Sequence, residues 1–328
     1  MVSETENLPK TLCIKTCDHV INRSSPKPGY FFRETLGRYY TTLCGSVIIL
    51  LTVVMVAFVA VKGLTAFIGS HPISPLQFLF STHWQPDASA SEGGPKFGAL
   101  TFIIGSLSVS GLAVLFSAPL AIAAAVLIAI IAPKSGENFI RPVLELFTGI
   151  PSVVYGWVGL SLLVPFIRNC FGGLGFSLLA GSLVLALMIL PTITTLATDA
   201  LQALPISYTE GSYALGATRW QTIYRILFPA ARSRILIGIT LGITRAFGEA
   251  LAVQMVIGNS VRIPGSFLSP ISTLTSIITM DMGNTVTGSD WNNSMWSMAL
   301  LLLLITFGFI VIIKILGSQR TEKRGSNA

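Results

Sequence analysis

The chain has 328 residues, of which 52% are hydrophobic and only 11% charged, with a formal net charge of +7. Soluble globular chains carry roughly 25% charged residues, so this composition excludes an ordinary water-soluble enzyme, and its apolar content excludes a disordered chain. It is the composition of a polytopic membrane protein. Its basic balance needs no nucleic acid, because the Lys and Arg residues flank apolar stretches where anionic lipid headgroups lie.

Residues 1–38 read as a polar cytoplasmic tail, with a linker at Ser24-Ser25-Pro26-Lys27-Pro28-Gly29. Cys13 and Cys17, followed by Asp18 and His19, fall short of the four-ligand spacing of a structural zinc site and read as incidental thiols. A hydrocarbon core about 30 Å thick needs about 20 apolar residues per helix. Residues 39–61 carry no charge and are expected to form the first span and the insertion signal. An external loop, 62–96, follows, with turn residues Pro72, Pro75, Pro86 and Gly93-Gly94-Pro95. The charge-free run 97–133 fits either one long helix bent at Pro119 or two short spans. Further spans are read at 146–167, 169–198, 235–258 and 291–313, the fifth interrupted only by Arg245 and Glu249, and 318–328 is a short basic tail.

Lys/Arg bias settles the ambiguous run. With one crossing there, six spans leave both termini cytoplasmic and put 16 of the 21 basic residues on that face. The opposite face carries Lys62, Lys96, Arg168 and Arg262, and Arg245 lies within the membrane. A second crossing would move eight of the sixteen outside. The expected fold is an all-α membrane protein of six transmembrane helices.

Glycine and proline recur within the spans at Gly105, Gly111, Pro119, Gly149, Pro151, Gly156, Gly159 and Pro191. Small residues allow close helix packing in membranes, which is one reading. In the other, Gly149-Ile150-Pro151-Ser152 and Leu190-Pro191-Thr192 bend helices around a polar path lined by Ser152, Thr192, Thr194 and Thr195. Hydroxyls also commonly bond to their own helix, so residue types alone leave both open.

The cytoplasmic segment 205–230 carries a pattern: Glu210, Ala214, Gly216, then nine residues before Ile226-Leu227-Phe228-Pro229. Pro205 and Ser207 precede a helical run, Gly216 breaks it, and Thr218 can cap a second run from Arg219 to Phe228. This predicts a helix–turn–helix against the membrane, with Tyr213, Leu215, Trp220, Ile223 and Ile226 available to a partner groove.

Arg245 and Glu249 are spaced i, i+4, which on one helix would place them on one face about a turn apart. They lie 11 and 15 residues beyond Arg234, near mid-membrane, where a charge costs from about 2.5 to over 10 kcal/mol. A mutually neutralising pair would fix helix packing. An anion path would use the Arg fork, which matches a tetrahedral oxyanion bidentately, with Glu249 orienting it.

Two segments carry a family resemblance. The 205–230 pattern resembles the E-A-A-x-x-x-G, nine residues, I-x-L-P loop of ABC-importer permeases, with Gly211-Ser212 in place of the two alanines and Phe228 in place of leucine. Thr244-Arg245-Ala246-Phe247-Gly248-Glu249-Ala250-Leu251-Ala252-Val253, with Gly258-Asn259, resembles a segment of phosphate-specific ABC importer permeases. Gly149-Ile-Pro-Ser-Val-Val-Tyr-Gly156 and Leu190-Pro191-Thr192 match the same subfamily. The Ala-Val ending, the outer loop after span one and Leu274-Thr-Ser-Ile-Ile278 are similar to its C-type subunit (PstC type).

The resemblance implies a type I ABC importer permease fold and a core at 97–317. It implies Arg245 and Glu249 in a phosphate path, and Glu210 and Gly216 in a loop that docks on a separate ATPase. On the residues' own pattern, Ser152 and Thr192 join the path, and Ala214, Leu215, Trp220 and Pro229 join the loop. The implied partners are a second permease subunit (PstA type), ATPase subunits (PstB type) that hold ATP-Mg, and an extracytoplasmic phosphate-binding protein (PstS type), in the bacterial cytoplasmic membrane. No cofactor, metal or catalytic residue is expected on this chain, which has no G-x-x-x-x-G-K-[ST] run.

Another oxyanion, sulfate or molybdate, fits the same motifs. A self-contained secondary transporter would need an ion-coupling site in this one chain, and a membrane-embedded enzyme would need clustered His, Asp or Cys at membrane depth, whereas the histidines are His19, His71 and His83. Trp84, Asp87, Asp281, Asp290 and Trp291 read as binding-protein contacts or as interface anchors.

Overall fold

The computed structural model describes residues 28–68, 73–88 and 94–318. The tail thiols Cys13 and Cys17, the 318–328 tail beyond Ser318, and most of the polar tail lie outside the described residues. The chain divides into two units, one ending at Phe58 and one beginning at Val59.

Six described helices are long and apolar enough to cross a membrane: Leu36–Ile68, Leu100–Ile131, Ser152–Phe171, Leu178–Gln202, Arg219–Gly248 and Asp290–Ile315. The 97–133 run is therefore a single crossing. The first helix, α1 (Pro28–Ile68), starts well before the span, so the end of the polar tail is helical. In its first unit the Thr42 and Thr52 hydroxyls donate to the carbonyls four residues back, at 2.8 and 2.9 Å, so neither hydroxyl is left bare in lipid.

The second unit opens with the end of α1 beside the last helix, where Ser297 donates to the Gly63 carbonyl at 2.6 Å. The external loop folds as α2 (Pro75–Phe80) and a two-stranded pairing of β1 (Trp84–Gln85) with β2 (Lys96–Phe97). Trp84 is buried there, edge-on to Phe97 and Phe102 at ring-centroid distances of 5.8 and 5.5 Å. It serves the core of this cap and is no docking anchor, because its ring fills the cluster with Phe78, Leu274, Met295 and Met298.

The spans follow as α3 (Leu100–Val126), α4 (Arg141–Gly149), α5 (Ser152–Val158), α6 (Val164–Phe171) and α7 (Leu178–Gln202). After them come α8 (Ser207–Ala214), α9 (Arg219–Thr222), α10 (Phe228–Gly248), α11 (Leu251–Ile257), α12 (Leu274–Asp281) and α13 (Asp290–Ser318). The core lies where α3, α7, α10 and α11 meet, around Val109, Ala113, Leu185, Ile189, Ile193, Ala246 and Val253.

Glycine makes α5 and α11 meet. A Cβ at Gly156 would sit 2.9 Å from the Ala252 Cα and 2.8 Å from the Met255 sulfur, so any side chain forces the helices apart. Gly105 and Gly159 are likewise packed tight, whereas Gly111 and Gly149 face open space. The packing reading holds for the first three only.

Four π-helical turns are described, Leu127–Ile131, Gly136–Ile140, Gly159–Leu163 and Ile223–Leu227, and each ends two residues before a proline: Pro133, Pro142, Pro165 and Pro229. A proline has no N–H to give, and its ring meets the carbonyl four residues back. One extra residue in the preceding turn moves that carbonyl aside, and the helix runs on through Pro142, Pro165 and Pro229, whereas ahead of Pro133 it breaks at Ala132. Thus Pro229 does not end a loop helix, and the fifth membrane helix extends from Arg219 to Gly248. Pro119 and Pro191 lie inside unbroken helices, so only Gly149–Pro151 interrupts its span as the bend reading expected.

Candidate functional site

Two helix interruptions lie beside one continuous span. The chain is extended at Ile150 (φ −70°, ψ 128°), between α4 and α5. The fifth span stops at Gly248, with Glu249 extended (φ −76°, ψ 126°), before α11 resumes at Leu251. The fourth span carries Pro191 and Thr192. α5 and α11 run parallel through the Gly156–Ala252 approach, with Gly159 against Val256, so Ser152 and Tyr155 lie toward the level of the Glu249 break.

Arg245 occupies the last turn of α10, and its Nη1 donates to the Thr192 Oγ1 at 2.6 Å. A guanidinium carries five N–H donors, and the side chain is exposed on this chain, so most of that fork is unpaired among the described residues. Tyr155 stands close enough to feel the Arg245 charge, and its hydroxyl donates to the Phe147 carbonyl at 2.6 Å, bridging the α4–α5 interruption. Sequence reasoning gave Tyr155 no role, although it sits inside the quoted Gly149–Gly156 motif.

The expected Arg245–Glu249 pair on one helix face does not form. The helix ends between the two residues, which removes the i, i+4 relation, and the described ion pairs are Arg141 with Glu137 and Glu145. Glu249 instead accepts from the Ala252 N–H at 3.4 Å, at the start of α11, and its carbonyl accepts from the Thr275 hydroxyl at 2.9 Å. Ser152 is half-buried at the first position of α5, and the bond from Arg245 goes to Thr192 instead. Thr194 and Thr195 bond to carbonyls of their own helix at 2.8 and 3.0 Å. A neighbouring groove of about 320 Å³ is lined by apolar side chains such as Phe116, Leu120 and Leu187 beside Ser117 and Tyr155, which suits no oxyanion.

The cytoplasmic loop has the expected helix–turn–helix. Gly216 takes φ +78°, a left-handed turn that glycine adopts without steric cost. Thr218 and Gln221 form a capping box that starts α9, and the buried Ser212 and Thr222 hydroxyls bond at 2.8 Å to hold α8 against α9. Glu210, Ala214, Leu215, Gly216, Trp220 and Pro229 are all exposed, Leu215 at 90%. Ile223 faces inward, buried with Leu227, Val126 and Leu201, so it is not available to a partner groove, and Ile226 is half-buried. The exposed apolar face is Ile206, Tyr213, Leu215, Trp220 and Tyr224.

On the outer cap, burial pushes the Asp281 carboxyl up. The Trp84 indole donating to it pulls the other way, and Asp87 adds to the rise.

Residues 117–322 match the family of binding-protein-dependent transport system inner membrane components. The chain belongs to that family. A protein named as a probable ABC transporter permease, YqgH, from Bacillus subtilis is 50% identical over 288 residues, 88% of this chain and 92% of the relative. A phosphate transport system permease protein PstC from Xylella fastidiosa is 32% identical over 304 residues, 84% of this chain and 91% of the relative. The crystal structure of a bacterial alginate ABC transporter, in complex with its alginate pentasaccharide-bound periplasmic protein, superposes with a TM-score of 0.57 at 14% identity. It covers 87% of this chain and 96% of that one, a likeness of fold. The chain is thus a six-helix inner-membrane permease subunit of an ABC importer; it works with a binding protein, and ATP is hydrolysed on a separate ATPase chain.

Proposed function

We propose that this permease imports phosphate and that its share of the path is the broken fifth span. The observation that carries the reading is the Arg245 guanidinium, anchored through one N–H to Thr192 and otherwise unpaired among the described residues, at a helix interruption. Such a fork offers parallel donors to the oxygens of a tetrahedral oxyanion. Thr192 orients the fork from α7 and Tyr155 fixes the start of α5 beside it. Glu249 borders that break and Ser152 opens α5 at the other interruption, and because Glu249 is spent on the start of α11, the positive charge of Arg245 stays available to an anion. The PstC relatives support phosphate over other oxyanions.

On this reading the partners are a PstA-type second permease, PstB-type ATPases that bind ATP-Mg, and a PstS-type binding protein. Glu210, Ala214, Leu215, Gly216, Trp220 and Pro229 form the surface offered to the ATPase, with Leu215 and Trp220 as its apolar anchors. Closure of the ATPases would be transmitted through this loop to the fifth span, which continues from it without interruption to Gly248.

The test is radiolabelled phosphate uptake in cells depleted of this chain and rescued with it, with excess sulfate or molybdate as competitor. Restored uptake that neither competitor reduces supports the reading. Equal competition by sulfate or molybdate, or uptake indifferent to depletion, overturns the substrate.

A further inference from the structure

We infer that Arg219 is a positioning residue that makes the cytoplasmic end of the second span move with the docking loop. The inference rests on the reading of residues 205–230 as that loop.

The second span ends awkwardly. α3 passes into the π-turn Leu127–Ile131, then Ala132 leaves helical geometry (φ −136°, ψ 64°) ahead of Pro133. The last carbonyls of any helix lack partners in the helix, and here the following proline brings no N–H to satisfy one. Arg219 supplies both missing bonds from 88 and 89 residues away: its Nη2 donates to the Ile131 carbonyl at 2.8 Å and to the Ile130 carbonyl at 2.5 Å. A cation at the negative end of a helix adds a favourable charge–dipole term.

The base of this clamp is rigid. Arg219 is the first residue of α9, directly after Thr218, whose capping box with Gln221 fixes its backbone. Its neighbours Trp220 and Tyr224 point outward, 68% exposed each, while Ile223 and Leu227 pack with Ala125, Val126 and Leu201. The first two turns of the fifth membrane helix thus show a docking face outward, wedge their opposite face between the ends of α3 and α7, and hold the α3 terminus by a guanidinium. A second tie closes the ring: the Gln202 amide, at the end of α7, donates to Glu137 at 3.1 Å, and Arg141 pairs with the same carboxylate at 3.0 Å.

The consequence is mechanical. A displacement of the loop reaches Arg245 through its own helix, but it reaches the second span only through side chains. Apolar contacts let helices slide, whereas bonds to two successive terminal carbonyls fix register as well as distance. Without Arg219 the fifth span would follow the ATPase while the second lagged, and the cytoplasmic mouth would open incompletely.

The test uses the assembled transporter, with both permeases, ATPase and binding protein, in proteoliposomes, reading ATP hydrolysis and radiolabelled phosphate uptake together. Arg219→Ala should hydrolyse ATP yet lose about fivefold or more in phosphate carried per ATP, the lower range of an ordinary coupling energy. Arg219→Lys, a single point donor that keeps the charge, should recover part of that ratio. Amide hydrogen exchange across 127–136 should accelerate in Arg219→Ala and not in Trp220→Ala. Hydrolysis and uptake falling in proportion, or an unchanged ratio, would overturn the inference. If Trp220→Ala leaves the ATPase bound, the docking reading fails. If the wild type carries no phosphate, the substrate fails, and the exchange measurement still decides the clamp.

Discussion

Arg245 closes one helix while Glu249, four residues on, lies in the break beyond it, and the side chain that Arg245 reaches is Thr192, 53 residues earlier in the chain. The break between them converts what would be a self-neutralising pair into two separate functions. Glu249 bonds to the first turn of α11, and on the proposed reading the remaining Arg245 donors meet the anion.

Thr192→Val removes the acceptor that holds the guanidinium while keeping the side-chain shape. A hydrogen bond to a charged group is worth about 1.5–3 kcal/mol, so phosphate uptake efficiency should fall by about tenfold or more. Concentration-dependent uptake at matched membrane levels checks this. Retention of full efficiency would mean that the 2.6 Å bond does not position Arg245.

Glu249→Gln keeps an oxygen for the Ala252 N–H and should leave the folded transporter nearly unchanged, whereas Glu249→Ala loses that bond at a cost of about 1 kcal/mol. Thermal unfolding of the purified complex in detergent reads the difference. Were Glu249 chiefly a counter-charge for Arg245, Gln and Ala would be equally damaging.

The membrane topology was legible in the sequence because charge is expensive in lipid, and six spans follow from where Lys and Arg fall. The helix–turn–helix of the loop was legible for a local reason: Gly216 and Thr218 carry their own turn and cap chemistry. The fifth span was misread at both ends. At Pro229 a π-turn, visible only as an extra residue in the helical register, lets the helix pass through. At Glu249 no proline or glycine run marks the break, since it is held by tertiary bonds from Thr275 to the Glu249 carbonyl and by the close approach of α5 at Gly156. Ile223 looked available because its inward orientation depends on the ends of α3 and α7, which lie far away in sequence.

Leu215→Glu should detach the ATPase while leaving the permease folded, because a side chain that is 90% exposed contributes little to the fold. Trp220→Ala should do the same, since a central Trp anchor is typically worth about 2 kcal/mol or more at an interface. Co-purification of the ATPase with tagged permease is the readout, with full recovery from both variants as the contrary result.

The outer cap should show a pH signature. Asp281 is held above its ordinary value, chiefly by burial, so the folded state binds its proton more readily than the unfolded one. Stability from this group is therefore present below the ordinary carboxylate value and lost as pH rises through the raised one. Asp281→Asn should flatten the pH dependence of thermal unfolding in that acidic range. Unchanged steepness would show that the carboxyl titrates normally beneath Trp84.

Phosphate uptake by Arg245→Gln, expressed to wild-type level in cells lacking the native chain, addresses the path most directly. Glutamine keeps polarity but removes the fixed charge and the fork. Insertion with retained ATPase binding and no phosphate uptake is the expected result. Uptake at the wild-type rate would mean that phosphate crosses without the guanidinium at the broken span, and the anion path would have to lie elsewhere.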